Sequence, residues 1–257
     1  MGEKSKIQWT DATWNPWHGC KKVSPGCKYC YMFRDKERYG QEPTTVMKSK
    51  SKFNEPKNWY DQLQGALFER ARDPHSQYAW SNYEVGMKIF TCSWSDWFIE
   101  EADEWRDDAW KIIKETPDFI YQILTKRPER IKDCLPEDWG DGYDNVWIGV
   151  SVEDQKATNK IQYLFHQPIK TRFLSVEPLI GEVDLTDCVY GNELWNPLMG
   201  ILDLSSRFGG NTGEIDWVII GGESGNETGK YKYRPLEIDW IERIVDELKE
   251  EHKKELS

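Results

Sequence analysis

The chain has 257 residues, with 34 lysine and arginine against 45 aspartate and glutamate, a net charge of −11. That length is ordinary for an α/β barrel in one piece and buries a sizeable core without disulfides. The acidic balance excludes nonspecific clamping of duplex DNA by overall charge, although Lys48, Lys50, Lys52 and Lys57 form a local basic exception.

The N-terminal MGEKSKIQWTD lacks an apolar signal core, and no stretch approaches the roughly 18–20 apolar residues of a membrane span, so neither secretion nor membrane insertion is expected. A first strand is expected near Ala12 to Trp17. Next comes Cys20-Lys-Lys-Val-Ser-Pro-Gly-Cys27-Lys-Tyr-Cys30-Tyr, a loop in which Pro25 and Gly26 supply the turn and Tyr29 sets an aromatic against the last thiol. Residues 40 to 87 are longer than a simple crossover and hold the lysine patch and a helix near Trp59 to Arg72.

From there a unit repeats: a short apolar run, a polar end, then an amphipathic segment. Ile89 to Cys92 leads into Ser93, Ser95 and Asp96; Phe119 to Leu124 into Lys126 and Arg127; Val146 to Val150 into Ser151 and Glu153. Arg172 to Leu174 leads into Ser175 and Glu177, and Trp217 to Ile220 into Gly221, Gly222 and Glu223. Continuous runs rich in Ile, Val and Phe suit parallel strands buried on both faces. Helices are expected where Trp105, Ala109, Ile112 and Ile113, then Ala157, Ile161, Leu164 and Phe165, then Ile241, Ile244, Val245 and Leu248 each fall on one face. Three consecutive strand spacings of about 24 to 32 residues match βαβ units. Six such units predict a single-domain α/β fold over residues 1–257, a partial (β/α)6 TIM-like barrel with a parallel sheet and outer helices, interrupted near 40–87 and 182–214. Polar strand ends then line the active face.

The thiols define the chemistry. Of six cysteines, Cys92, Cys134 and Cys188 are scattered, which is not a secreted disulfide framework and suits a reducing cytoplasm. Thiolates suit iron–sulfur clusters and zinc. Three cysteines in one loop leave one iron of a [4Fe–4S] cube without a protein ligand, which is useful to an enzyme that binds something there. The alternative is a structural Cys3His zinc site with His18, in a protein-interaction module without catalysis.

Cys27-Lys-Tyr29-Cys30 resembles the second half of the radical S-adenosylmethionine signature, whose usual spacing is Cys-x3-Cys-x2-Cys; here the first gap is six residues. More widely, TWNPWHGC (13–20), CKYCY (27–31), SWSDWF (93–98), LTKRPERI (124–131), IGVSVED (148–154), SVEPLIG (175–181) and DWVIIGGESG (216–225) resemble the phage-associated three-cysteine-motif proteins, a radical-SAM-like family. The resemblance implies a [4Fe–4S] cluster on Cys20, Cys27 and Cys30, S-adenosylmethionine at the open iron, and a 5′-deoxyadenosyl radical that takes a hydrogen atom from substrate. It implies Ser93, Ser95 and Asp96 for the methionine ammonium, Lys126 or Arg127 for its carboxylate, and Ser151 and Glu153 for the ribose. Gly221 and Gly222 fall beside the adenine, Glu177 and Glu223 hold substrate or cofactor, Tyr29 lies against the site, and Cys92 is a candidate hydrogen-atom donor. Trp9, Trp14 and Trp17 crowd the approach, as core or lid packing or as rings that stack on a base; with the phage association of the family they make a nucleobase, nucleotide or nucleic acid the expected substrate. A flavodoxin- or ferredoxin-type electron donor, a partner protein, and the cytoplasm (the host's, for a phage-encoded chain) complete the expectation.

Overall fold

The computed structural model describes residues 5–190, 193–199 and 214–255. In chain order, β1 (Ala12–Trp14) and β2 (Trp17–His18) precede the cysteine loop. Then come α1 (Tyr31–Arg38), β3 (Met47–Lys48), α2 (Glu55–Arg72) and β4 (Lys88–Thr91). The next elements are α3 (Asp103–Glu115), β5 (Ile120–Thr125), the short α4 (Ile131–Cys134) and β6 (Val146–Ser151). A 3-10 run over Gln155–Phe165 leads to β7 (Thr171–Val176) and the hairpin of β8 (Cys188–Tyr190) and β9 (Glu193–Trp195). Last are β10 (Trp217–Ile220) and α5 (Ile238–Glu255).

Six strands form one parallel sheet in the order β1-β4-β5-β6-β7-β10, so each main strand pairs with its neighbour in sequence. Right-handed crossovers that always step in the same direction put their connections on one face. Register divides the side chains between the two faces. Ile89, Tyr121, Ile148 and Leu174 share the face that meets the crossovers, while Phe90, Gln122, Trp147, Phe173 and Trp217 share the other.

That second face is curled. A flat sheet would hold its two edge strands about 24 Å apart across five intervals of about 4.8 Å. Trp9, just before β1, instead lies 6.1 Å from Trp217 of β10, edge to face. Phe90, Trp147 and Phe173 complete an aromatic floor, at 4.7 Å from Trp9 and 5.6 and 5.9 Å from Trp217. The Gln122 amide reaches across the floor to the Trp9 carbonyl at 3.3 Å. Gly149 is the concession that lets the floor close, because a Cβ there would stand 2.6 Å from the Phe173 ring. The polar strand ends sit above this floor.

The outer layer follows the expected stripes in part. On α3, Ala109, Trp110, Ile112 and Ile113 are buried, and Trp110 packs on Trp97 and Trp139. Burial of such side chains is worth about 1.5–3 kcal/mol each. The segment carrying Ala157, Ile161, Leu164 and Phe165 buries that face as expected, but as 3-10 turns rather than an α-helix. Asp154 caps it by accepting from the Ala157 N–H at 3.0 Å, and the Thr158 hydroxyl takes the Gln155 carbonyl at 2.8 Å, a partner three residues back.

The first expected strand also divides. β1 ends at Trp14, and β2 turns away to pair antiparallel with β3, matching Trp17 with Lys48 and His18 with Met47. Both expected interruptions are present, one containing β3 and α2 and the other β8 and β9; residues 200–213 of the second lie outside the described residues. No helix among the described residues is long and apolar enough to cross a membrane.

Candidate functional site

The cysteine loop lies against the C-terminal ends of the sheet strands. Its short 3-10 turn, Pro25–Cys27, runs into α1, for which Cys30 is the N-cap residue. Burial raises the Cys30 pKa, opposed by the Met32 and Phe33 backbone N–H groups at the start of the helix. Cys27 is buried, and Cys20 and Cys30 are partly exposed. Cys20 is pushed up to about 12 by burial and the nearby Asp96 carboxylate, against the pull of Arg127. All six cysteines are free thiols.

What holds the loop is a set of strand-end side chains, many of them residues that the sequence assigned to the cofactor. Asp96 is 5% exposed and accepts from four protein donors: the Thr125 hydroxyl (2.7 Å), the Lys126 N–H (2.9 Å), the Phe98 N–H (3.0 Å) and Arg127 Nη1 (3.1 Å). Arg127 then reaches the loop, donating to the Lys21 carbonyl at 2.7 Å and to Cys20 Sγ at 3.7 Å. Ser95 donates to the Gly19 carbonyl at 2.6 Å, and the Gly19 N–H donates to the Trp94 carbonyl at 3.0 Å. Gly19 has φ +98°, and a Cβ there would stand 2.1 Å from the Thr45 carbonyl oxygen, so only glycine fits. Ser93 exchanges bonds with the Asn15 amide, and its carbonyl accepts from the Tyr31 hydroxyl.

Glu153 clamps the other side. It is 1% exposed, accepts from the Ser24 hydroxyl, and pairs with Lys160 at 3.0 Å and Lys126 at 3.5 Å. Gly26 packs so close that a Cβ would lie 2.6 Å from Glu153 Cγ. Burial pushes the Glu153 pKa up, but the two lysines and Ser24 outweigh it and hold the carboxyl below the usual range. Glu223 is taken by Arg234, whose Nε donates at 2.9 Å and whose second nitrogen reaches the Pro25 carbonyl at 3.1 Å. The same guanidinium lies 5.4 Å from the Tyr29 ring centre, and Lys28 lies 5.0 Å from it.

A second set is left open toward the space above the aromatic floor. Ser151 is 1% exposed, and its hydroxyl has no hydrogen-bond partner among the described residues. Its register partner on β7 is Ser175. The Glu177 carboxylate makes no hydrogen bond among the described residues, and burial raises its pKa against the pull of Lys126. Gly221 gives Glu177 room, since a Cβ there would stand 2.9 Å from the carboxyl carbon, and Gly222 has ordinary contact with Leu236.

Cys92 is the one non-glycine residue with positive φ (55°) among the described residues. It is 3% exposed within the apolar core, and burial holds its pKa well above the usual thiol value. Trp14 and Trp17 are fully buried against Trp97 and offer no stacking platform, whereas Trp9 belongs to the floor and is partly exposed.

Arg234, Ser24 and Lys160 escaped the sequence reading. Their partners lie far away in the chain, and no local pattern marks them. His18 is partly exposed and its Nδ1 is buried without a partner. No three His, Cys, Asp or Glu side chains among the described residues are gathered to hold a single metal ion.

A parallel α/β sheet with a cysteine loop fastened over its strand ends is the class of protein that fold and site define. The chain belongs to the family described as Protein of unknown function (DUF5131), whose model matches residues 4–254. Neither a curated protein nor a solved structure matches the chain.

Proposed function

We propose that the curled sheet is a partial (β/α)6 barrel and that the chain is a radical S-adenosylmethionine enzyme. Cys20, Cys27 and Cys30 would hold a [4Fe–4S] cluster. The observation that carries this reading is the loop itself: three free thiols in eleven residues, fastened over the strand ends by Asp96–Arg127 and Glu153–Ser24. Three thiolates suit a cube with one iron free. A single tetrahedral zinc would draw its ligands to within about 3.8 Å of one another.

Two further features fit a cofactor there. The buried Ser151 hydroxyl lacks a partner on the inner face, and a buried polar group left unmade costs about 1–3 kcal/mol. Gly221 lets the Glu177 carboxyl pack directly against backbone at the end of β10.

Held by Cys20, Cys27 and Cys30, such a cluster would supply the one-electron chemistry that cleaves the S–C5′ bond of S-adenosylmethionine. The protein's own work is to bind and to exclude water. Arg127 offsets negative charge at Cys20, and the start of α1 does so at Cys30. Lys126, whose charge acts on the Glu177 carboxyl, suits the methionine carboxylate. Ser151 and Glu177 would bond the cofactor's hydroxyl and amino groups. Ser93, Ser95, Asp96, Glu153 and Glu223 act as positioning residues that hold the loop. Cys92, packed in the core as a neutral thiol, keeps the S–H bond that a hydrogen-atom donor needs. A reducing cytoplasm and a small flavodoxin- or ferredoxin-type donor suit such chemistry.

The test is anaerobic purification and cluster reconstitution, iron and sulfide analysis, then incubation with dithionite and S-adenosylmethionine. Formation of 5′-deoxyadenosine that disappears in Cys27→Ala is the expected result. A colourless protein holding one zinc and no sulfide would overturn the reading in favour of a structural Cys3His module.

A further inference from the structure

The strongest feature outside the cysteine site is a groove of about 630 Å³ between the start of α2 and α3. Lys48, Lys50, Lys57 and Lys111 line it together with Ser49, Phe53, Asn54, Ile112 and a single acid, Asp108. In a chain of net charge −11, four lysines around one carboxylate are a local reversal of sign. Lys48 is shared with Asp108 at 3.2 Å, and Lys57 turns to Glu115 at 2.5 Å. Lys50 and Lys111 are exposed and make no hydrogen bond or ion pair among the described residues. Lys111 and Lys57 both act on Glu115, so the four ammonium groups have two carboxylates between them and Lys50 faces solvent with no acidic partner among the described residues.

The groove is built into the frame of the cysteine site. Its wall, the segment 47–53, pairs Lys48 with Trp17 on β2, three residues before Cys20. The Ser49 N–H donates to the Pro16 carbonyl at 2.8 Å, and its hydroxyl to the Asn15 carbonyl at 2.6 Å. Trp14 Nε1 holds the Lys52 and Phe53 carbonyls, each at 3.1 Å. The strand that leads into the cysteine loop thus carries the lysines rigidly beside it.

We infer that this groove binds the phosphodiester backbone of a single-stranded nucleic acid, and so names the substrate class of the proposed radical enzyme, on which reading it rests. Four ammonium groups along one groove match a chain of phosphates. A groove of this size falls within the range of about 300–1,000 Å³ that takes ligands of a few hundred daltons, and tracks one strand and not a duplex. Chemistry on a base requires that base out of the stack, which a single strand already provides. The acidic remainder of the surface repels phosphate elsewhere and confines the strand to this track.

The experiment is fluorescence anisotropy with a labelled single-stranded oligonucleotide, on protein with and without its cluster, across a salt series. Lys50→Glu and Lys111→Glu, singly and together, are compared with Lys249→Glu, which matches the charge change of either single variant on the exposed face of α5. The expected result is salt-dependent binding in which the double variant weakens affinity for all sequences alike and reduces the slope of log K against log[salt] by about 1.4, as for two lost single-strand phosphate contacts. Lys249→Glu should leave the slope unchanged.

Absence of binding, or a slope the double variant does not move, overturns the inference. So does displacement by inorganic phosphate or poly-glutamate as readily as by unlabelled oligonucleotide. Because 5′-deoxyadenosine formation is read separately in the same variants, failure of the groove and failure of the radical reading are distinguishable.

Discussion

Glu153 and Glu177 follow neighbouring strands and stand near the same Lys126, yet their surroundings treat the charge in opposite ways. Glu153 gains Lys126, Lys160 and a hydroxyl, which overcome burial and depress its pKa. Its contribution to stability is present above the ordinary carboxylate pKa and is lost as pH falls through the depressed value. Glu177 has burial with little to offset it, so its pKa is raised. A carboxyl with a raised folded pKa destabilises the native state above that value, and the penalty vanishes below its unfolded pKa. Glu177→Gln is therefore expected to raise Tm at about pH 7. That gain should be gone by about pH 4, where the unfolded carboxyl also holds its proton. A Tm that falls at about pH 7 would show that Glu177 has a partner and is not the open carboxylate of the site. Enzymes commonly leave such strain at the place where a ligand will relieve it.

At the scale of strands and loops, Gly149 shows how one position governs the floor. With 2.6 Å between its missing Cβ and the Phe173 ring, Gly149→Ala is expected to cost about 1–3 kcal/mol by overpacking. Chemical denaturation checks this, and a neutral result would mean that the ring has room to retreat.

The strands themselves were legible from sequence. The run Ile89 to Cys92 became Lys88–Thr91 and Val146 to Val150 became Val146–Ser151, because fully buried parallel strands need unbroken apolar runs. The 3-10 form of Gln155–Phe165 was not legible, since the same stripe buries the same face in either helix. At the site, the sequence found the strand-end residues but not their partners. Glu153 meets Ser24 across 129 positions, and Arg234 meets Pro25 across 209, distances at which periodicity carries no information. Asp96 shows the consequence. Its place at a strand end suggested a ligand, while its four protein donors make it a fastener.

For the whole molecule, the contact between Trp9 and Trp217 links the two edges of the sheet. Both rings are only partly buried, so Trp9→Ala is expected to cost about 2 kcal/mol, below the 3–5 kcal/mol of a fully enclosed ring. Hydrogen exchange gives the sharper readout. Amides of β1 and β10 should lose protection while those of β5 and β6, in the middle of the sheet, keep it. Uniform loss across the sheet would show that the curl is a property of the strands and not of this contact.

The sequential strand order also sets a timetable for biosynthesis. Each main strand pairs with the one made just before it, so the sheet can be laid down in the order in which it leaves the ribosome. The three thiols emerge among the first elements, and their fasteners at Asp96, Arg127 and Glu153 follow in turn. The clasp through Arg234 arrives only after β10. Until that segment emerges, one side of the loop stays uncovered on the growing chain, and that interval is when its three thiols are most open to solvent.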